Sequence, residues 1–329
     1  MTRPFMEKLG TRSRAQSSHH TGGRMYRSIV QLAFVVSVAA GFVTVPVARA
    51  QGTPPGTVTV SSAVTGIHQF AGDLEQGGDV QWSNASFSGS VTRQFVPAFS
   101  AGISVRYGYE DWRFGSPAAF DGKAPWLRLQ RPGASLNLSL ALSRTLVLGV
   151  SPTVELAYDS GANTDDAMIY GAVLSAAKIF SPRFTLGAGA SVTRQFYSVK
   201  TSPFVIVNWK ITDRLRLANA VPAGPEGGAG VELRYAPTPD WELAGGGVWR
   251  SDRWRLEEQE ASAGNVGETS FIPMFARLSR KLGPKVKLDL YAGALASNRL
   301  TVKDSDGNEI AHDEYGIVPA ISATLSGKF

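Results

Sequence analysis

The sequence contains no cysteine, and histidine is almost absent after the first fifty residues. The absence of cysteine excludes disulfide frameworks, thiolate metal sites and cysteine nucleophiles. Only His68 and His312 lie beyond residue 50, so a histidine-rich zinc or iron centre is not expected either. We therefore predict no metal site, no cofactor and no catalytic residue.

Net charge is also missing from most of the chain, although the total is +6. Residues 1–50 hold seven of the 33 Lys and Arg and one of the 27 Asp and Glu, which accounts for the whole excess. The remaining residues carry 26 groups of each sign. This balance excludes a nucleic-acid binder that depends on a basic surface.

One long apolar run is found, at residues 29–47, and it is followed by an Ala-x-Ala arrangement at 48–50. Two arginines precede the run, so the pattern predicts a secretory signal peptide over residues 1–50, with Met25 as a possible true start. A membrane anchor is the alternative, and the glycine and proline inside the run disfavour it. The exported part is then residues 51–329.

Beyond residue 52 the sequence alternates with a period of two, which predicts strands with one apolar and one small-polar face. In the segment around Leu140, this alternation places Leu140 towards lipid near mid-membrane and Asn137 and Ser139 inside. Residues 315–329 alternate in the same way, which places Tyr315 on the same apolar face as the terminal phenylalanine. The strands often exceed the roughly five or six residues of globular strands.

Aromatic residues recur near the ends of the apolar faces. Phe99 and Tyr107 lie eight residues apart on one face, as do Trp241 and Trp249. Eight residues tilted by ~45° rise roughly 19 Å, close to the separation of two aromatic girdles around an apolar band of about 25 Å. The pattern therefore favours a transmembrane barrel over a soluble sandwich.

Loop lengths give the number of strands. Short turns alternate with longer Gly- or Asp-rich connections, as in outer-membrane barrels. This predicts an all-β, antiparallel up-and-down transmembrane β-barrel of fourteen strands, or twelve if the two weakest segments, 57–70 and 215–220, are not strands. The other predicted strands are 80–93, 98–110, 126–142, 146–158, 167–180, 184–196, 203–211, 230–236, 241–256, 268–282, 286–302 and 313–329. The predicted outer loops are 71–79, 111–125, 159–166, 197–202, 221–229, 257–266 and 303–312.

A last strand that alternates apolar residues and ends in Phe329 resembles the last strand of bacterial outer-membrane β-barrels. Residues 203–256 and 286–329 also resemble an uncharacterised family of such barrels. The stretches that carry this resemblance are Val207-Asn208-Trp209-Lys210-Ile211, Leu215-Arg216-Leu217, Trp241-Glu242-Leu243 and Leu288-Asp289-Leu290-Tyr291-Ala292-Gly293. The resemblance implies a bacterial outer-membrane location and recognition of the terminal strand by the barrel-assembly machinery.

Charged residues recur on the predicted inner face, where they can contact protein or water rather than lipid. They either line a channel or form ion pairs that close the lumen, since barrels of this size are found in both states. The predicted lumen-lining residues are Arg106, Glu110, Glu155, Lys210, Glu232, Arg234, Glu242, Arg277, Lys287 and Asp289.

Two arginines are predicted to contact lipopolysaccharide. Arg253 and Arg255 share the apolar parity of Trp249 and would lie just above the hydrocarbon, where the planar guanidinium suits phosphate. The alternative is an ordinary rim network with Asp252 and its acidic neighbours at 257 and 258.

These features predict a pore or passive transporter for small polar solutes. A structural or adhesive barrel with an obstructed lumen is the alternative, because the predicted outer loops carry 15 acidic residues against four basic ones. An outer-membrane enzyme comes third. His312 lies among acidic residues but lacks the spacing of a serine hydrolase, and we interpret it as a solvated loop histidine.

Overall fold

The computed structural model describes residues 54–219, 229–257 and 265–329. The predicted signal peptide over residues 1–50 and the alternative start at Met25 lie outside the described residues. Within them no helix is long and apolar enough to cross a membrane. The strands are β1 Val58–Asp73, β2 Asp79–Val96, β3 Phe99–Gly115, β4 Arg128–Ala141, β5 Leu146–Leu156, β6 Tyr158–Asp159, β7 Met168–Ser181, β8 Phe184–Gln195, β9 Ser198–Lys210, β10 Leu215–Asn219, β11 Ala229–Tyr235, β12 Trp241–Arg255, β13 Val266–Lys281, β14 Val286–Lys303, β15 Glu309–Tyr315 and β16 Val318–Lys328.

The strands close into an antiparallel barrel of fourteen strands. β1 to β5 pair in chain order, β5 pairs with β7, β7 to β14 pair in chain order, β14 pairs with β16, and β16 pairs with β1 to close the ring. β6 continues β5 and β15 precedes β16, so neither adds a strand to the ring. The prediction of fourteen strands is confirmed, because both doubtful segments are present as β1 and β10.

The alternation of the sequence follows the pleat of the strands. On β3, Ile103 and Val105 are exposed on the outside, whereas Ser100 and Ser104 are buried inside. Successive side chains of a strand point to opposite faces, so this pattern separates an apolar outer surface from a small and polar interior. We call the end of the barrel with the short turns, such as residues 143–145, the inner end, and the opposite end the outer end.

The prediction of an outer loop at residues 197–202 is wrong. β9 already begins at Ser198, so β8 and β9 are joined by a tight turn at Phe196 and Tyr197, in which Phe196 has a φ of 51°. The segment was predicted as a loop because it lies between the predicted strands 184–196 and 203–211. Lys200 and its neighbours continue the ladder because another part of the chain covers their inward face, as described below.

The predicted position of Tyr315 on the apolar outer face is also wrong. Its side chain is only 3% exposed, and its hydroxyl donates to Gln69 Oε1 at 3.0 Å. The reason is an irregularity between β15 and β16, matched on β14 by Ser297 with a φ of 53°. Asn298 Nδ2 donates to the Gly316 carbonyl at 2.7 Å and so ties the two irregularities together. The face that points inward therefore changes parity at this level.

The pairing register places Leu140 at a different depth in the membrane from the predicted one, although its side chain points outward as predicted. Leu140 pairs with Phe99, the first residue of β3, and lies one residue before the end of β4. Leu136 pairs instead with Ile103, which is midway between the two aromatic residues at 99 and 107. Leu136 is therefore the residue of β4 that lies near the middle of the apolar band.

Arginine at Leu136 is expected to cost roughly 2–4 kcal/mol of barrel stability, because it places a charge at the middle of the lipid-facing band. Arginine at Leu140 should cost about 0–1 kcal/mol, since it lies near the interface. Ser135→Arg is the control for an inward position, because the Ser135 hydroxyl donates to Thr153 Oγ1 at 3.1 Å on the inner face of the barrel. Folded fractions in lipid vesicles against urea measure all three, and equal costs at 136 and 140 would contradict this placement.

Candidate functional site

The outer end of β12 is inclined inward, into the outer opening of the barrel. Within the residues that the structure describes, β11 pairs with β12 as far as Trp249, and beyond that point both faces of β12 contact other strands. On one face Arg131 of β4 lies 2.9 Å from Asp252, and on the other Lys200 of β9 donates to the Ser251 carbonyl at 3.0 Å. Two strands that are not ring neighbours of β12 thus enclose its outer end. We call residues 250–255 of β12 and 266–271 of β13 the plug hairpin.

Local sequence explains why β12 and β13 bend here. Residues 245–247 of β12 are all glycine, and β13 has Pro273 on the opposite side, where it cannot donate to the ladder. The ladder is interrupted between the pairs Gly247–Met274 and Arg250–Phe271. A Cβ at Gly246 would lie 2.4 Å from the Val231 carbonyl oxygen, so this close approach of the backbones requires glycine.

An aromatic core fixes the plug hairpin against the wall formed by β2, β3 and the loop that follows β3. Trp82 stacks on Trp112 with ring centroids 5.5 Å apart, and Trp112 meets Trp126 edge-to-face at 5.7 Å. Trp254 of the plug hairpin is buried in the same cluster. The other buried members are Leu74, Val80, Leu129, Ala157, Ile169, Leu256, Phe271, Leu295, Leu300, Val302, Tyr315 and Val318. The outer part of the barrel interior is therefore filled by a hydrophobic core.

Buried charges lie directly beneath this core. Asp252 is shared by Arg131 at 2.9 Å and Arg250 at 3.2 Å. Glu110 accepts hydrogen bonds from Asn84 at 3.3 Å and from the indole of Trp112 at 2.9 Å. Because each charged group has a partner, the cluster is compatible with burial.

A second buried network lies towards the inner end and is centred on Arg277. Its guanidinium is fully buried and lies 2.8 Å from Glu232, 2.8 Å from Glu242 and 2.9 Å from Asp289. Four strands, β11 to β14, supply these side chains. One arginine thus holds three acidic side chains together inside the barrel, with several donors in the fixed geometry that suits carboxylates.

The structure brings together most of the predicted lumen-lining residues, as ion pairs. Arg106 contacts Glu155, and Arg234 and Lys287 lie at the edge of the Arg277 network through Glu232 and Asp289. Lys210 lies apart, because it is 45% exposed and contacts Asp213 in a short turn at 2.8 Å. That these residues line a path for solute stays a prediction.

A different surface lies on the inward faces of β4, β5, β7 and β8. The sequence analysis placed two of its members, Asn137 and Ser139, inside the barrel but did not predict the whole surface. Its side chains are small, mostly polar and only half-buried, so they face open space inside the barrel. They are Ser135, Asn137, Ser139, Ser151, Thr153, Gly171, Val173, Ser175, Gly187, Gly189 and Ser191. Asn137 of β4 connects its two neighbouring strands, because it donates to Ser104 of β3 at 3.0 Å and accepts from Ser151 of β5 at 3.1 Å. We call this surface the small-residue wall.

Arg253 and Arg255 lie on the outward parity of β12, but the inclination of the plug hairpin turns them towards β8 and β9. Arg253 lies 3.1 Å from Glu268, donates to Ser198 at 2.9 Å and is 13% exposed. Arg255 stacks over the Phe196 ring at 5.0 Å. Asp252, the expected alternative partner, faces the opposite side. Contact with lipopolysaccharide stays a prediction, in which phosphate would compete with Glu268 for Arg253.

Two histidines bear on the enzyme alternative. His68 Nδ1 lies 2.9 Å from Ser83 Oγ, a distance that nucleophile activation requires. However, no acidic side chain is hydrogen-bonded to this imidazole within the described ranges. His312 forms an exposed contact with Glu309 at 2.7 Å. In the same ranges no group of three His, Cys, Asp or Glu is placed to hold a metal ion.

Solved structures with a similar fold are outer-membrane barrels. One is an outer membrane channel from Pseudomonas putida F1, with 9% identity and a TM-score of 0.47, covering 85% of this chain and 97% of that chain. Another is the P. putida toluene transporter TodX, with 8% identity and a TM-score of 0.41, covering 84% of this chain and 91% of that chain. The KdgM porin has 8% identity and a TM-score of 0.32, and the match covers 81% of this chain and 99% of that chain. These likenesses describe the fold alone.

No curated protein sequence matches the chain. A family model described as "Domain of unknown function (DUF6268)" matches residues 136–320, which is more than half of the chain and includes β5 to β14 in full. This range holds the Arg277 network, the plug hairpin and most of the small-residue wall. The chain therefore belongs to the DUF6268 family.

Proposed function

We propose that this protein is a channel for small polar solutes in the bacterial outer membrane, and that the plug hairpin narrows its outer mouth. The small-residue wall is the observation that carries the proposal. Its half-exposed Ser, Thr, Gly and Asn side chains leave space along β4 to β8 and can exchange hydrogen bonds with water or sugar-like solutes. The Arg277 network lies on other strands, β11 to β14, whereas the aromatic core crosses the outer end and reaches β4 and β7.

The outer surface supports placement in the outer membrane. Ile103, Leu136 and Leu174 are exposed in the middle of the outward faces, and Tyr107 and Trp249 are exposed nearer the outer end. An apolar band with aromatic residues at its edge is the pattern of membrane barrels. We also propose that the strand ending at Phe329 is the segment that the barrel-assembly machinery binds.

A structural or adhesive barrel is the second candidate, and the packing of the plug hairpin favours it. The aromatic cluster around Trp112 and the network around Arg277 both fill interior volume that a wide pore would leave open. In this case the barrel displays its acidic outer loops and conducts nothing.

Single-channel recording in planar bilayers separates the two candidates. The channel proposal expects discrete conductance steps from protein whose folding is verified by resistance to denaturation in detergent. Heat-denatured protein from the same preparation is the control for leakage. Silence from folded protein would refute the channel and leave the structural barrel.

We further propose that Arg253 and Arg255 bind lipopolysaccharide phosphate. The Arg253→Ala/Arg255→Ala variant is expected to retain less lipopolysaccharide through purification, because two phosphate donors are lost. The matched control removes two basic residues at the inner end, Lys281→Ala/Lys285→Ala, and should retain the wild-type amount. Equal retention by both variants would assign Arg253 to its pair with Glu268 alone.

A further inference from the structure

A row of three basic side chains crosses the inward face of β9, β10 and β11 near the inner end. Arg216 of β10 pairs with Lys210 of β9 on one side and with Arg234 of β11 on the other. Trp209 and Leu233, which have the opposite parity, are exposed on the outside, so the three basic side chains point into the lumen. Like charges directly opposite each other destabilise a sheet, and this row therefore requires compensating negative charge.

Arg216, the middle member of the row, lacks that compensation. The flanking pairs are Lys210 with Asp213 at 2.8 Å and Arg234 with Glu232 at 2.5 Å. Arg216 Nε instead donates to the neutral amide oxygen of Asn208 at 2.7 Å, and in the described part of the chain no carboxylate forms an ion pair with Arg216. Asn208 thus positions the guanidinium without neutralising it, and the Arg216 side chain is exposed to the lumen.

The surrounding inward faces also carry more positive than negative charge. Over the inner halves of β9 to β14, the inward basic residues are Lys210, Arg216, Arg234, Arg277, Lys281 and Lys287, and the inward acidic residues are Glu232, Glu242 and Asp289. Arg277 already binds all three of these acidic groups. An excess of one sign along a lumen raises the local concentration of ions of the opposite sign, so this region attracts anions.

Arg216 adjoins the small-residue wall. Thr185 of β8 pairs with Asn208 of β9, and Gly187 and Gly189 of the wall follow Thr185 on the same inward face. A solute that moves inward along the wall therefore reaches Asn208 and then Arg216. The wall and the unpaired arginine form one continuous surface inside the barrel.

The acidic outer loops do not oppose an anion at this depth. Ser198 and Lys210 are the outer and inner ends of β9. These twelve steps along a strand tilted by ~45° span roughly 28 Å. Exposed charges are screened beyond about 8 Å at physiological salt, so the loops influence the outer mouth and not the surroundings of Arg216.

We infer that Arg216 is an anion-binding residue, and that the solutes of this barrel are small anions with a carboxylate or phosphate group. With Nε held by Asn208, the two terminal nitrogens of the guanidinium can donate a pair of parallel hydrogen bonds, which suits both groups. Lys210 and Arg234 add to the attraction from either side. The transport of such anions rests on the proposed channel, whereas their binding at Arg216 does not.

Single-channel recording under a KCl gradient measures the preference for chloride over potassium, and succinate added on one side tests recognition of a carboxylate. We expect wild-type channels to prefer chloride and succinate to interrupt their current with saturable frequency. Arg216→Gln should require about 10-fold more succinate, because charge-assisted hydrogen bonds are lost. Arg216→Lys should keep the preference for chloride but bind succinate more weakly, since it lacks the planar fork.

Arg280→Gln is the matched control. It removes an outward arginine at the same end, which lies over the Trp241 ring at 5.0 Å, and should behave like wild type in both measurements. An equal effect of Arg280→Gln and Arg216→Gln would show that only the total charge matters, and it would overturn the assignment to Arg216.

Isothermal titration calorimetry of the detergent-folded full chain, with succinate and with inorganic phosphate, measures binding without conduction. Binding that Arg216→Gln weakens, in a barrel that is silent in bilayers, would refute the channel and keep the anion site. The probe that binds more tightly identifies the preferred group. Equal heats for wild type and Arg216→Gln with both probes would overturn the inference, whatever the conductance.

Discussion

Replacing Arg277 with methionine is expected to destabilise the barrel by about 3–5 kcal/mol, because it leaves buried acidic groups without their buried cation. Arg277 contacts all three of Glu232, Glu242 and Asp289, and Glu232 and Asp289 are almost completely buried. Their other cations, Arg234 and Lys287, are partly exposed. Methionine keeps an unbranched side chain, so the loss reports mainly the charge. The free energy of unfolding in lipid vesicles, from urea titration, measures the effect.

Lys287→Met is the matched control for Arg277→Met. Lys287 contacts the same Asp289 at 2.9 Å, but its side chain is one-third exposed, and partly solvated ion pairs contribute little. We expect a loss below about 1 kcal/mol for the lysine variant. A triple variant with Arg277→Met, Glu232→Gln and Asp289→Asn should recover part of the stability. Equal losses at 277 and 287 would contradict a buried, interdependent network.

The fold was predictable because the period of two persists through nearly every strand. Burial of one face imposes alternation, and a slip of one residue would turn every side chain to the wrong side. The prediction failed for Tyr315, where an irregularity changes parity. A bulge adds a residue without changing the composition of the strand, so the alternation after it looks continuous.

The contacts between charged side chains in the interior were less predictable than the fact that these side chains point inward. Parity within β4 and β12 places Arg131 and Asp252 inside, but 121 residues separate them in the chain. Their contact depends on the inclination of the plug hairpin, which no local pattern reports. The network around Arg277 was nearer to prediction, since β11 to β14 are consecutive and their inward positions lie side by side.

A signal for the plug hairpin was present in the sequence. Three consecutive glycines at 245–247 and Pro273 fall opposite each other once β12 and β13 are paired, and both weaken a strand. Glycine is common inside barrels, so the run alone does not indicate a bend. The register of the hairpin was needed to show that the glycines and the proline lie at the same level.

Removing the plug hairpin is expected to raise single-channel conductance several-fold. Gly247 and Met274 are cross-strand partners, so residues 248–273 can be replaced by Asn-Gly, a two-residue turn that suits an antiparallel hairpin. The deletion removes Trp254, Arg250 and Asp252 from the mouth, and the groups that they covered become solvated in the widened lumen. The small-residue wall stays intact, because it belongs to other strands.

The matched control shortens a neighbouring hairpin that projects from the same end. Val302 and Ala311 are partners on β14 and β15, so replacing residues 303–310 with Asn-Gly removes a shorter outer segment and leaves the plug hairpin in place. Its conductance should equal that of the intact protein. If the folded plug deletion also conducts like the intact protein, the constriction lies elsewhere. The Arg277 network is then the part of the interior that closes the barrel. A large increase in the plug deletion alone would place the constriction at the outer mouth, where Arg131 and Lys200 now hold the two faces of β12.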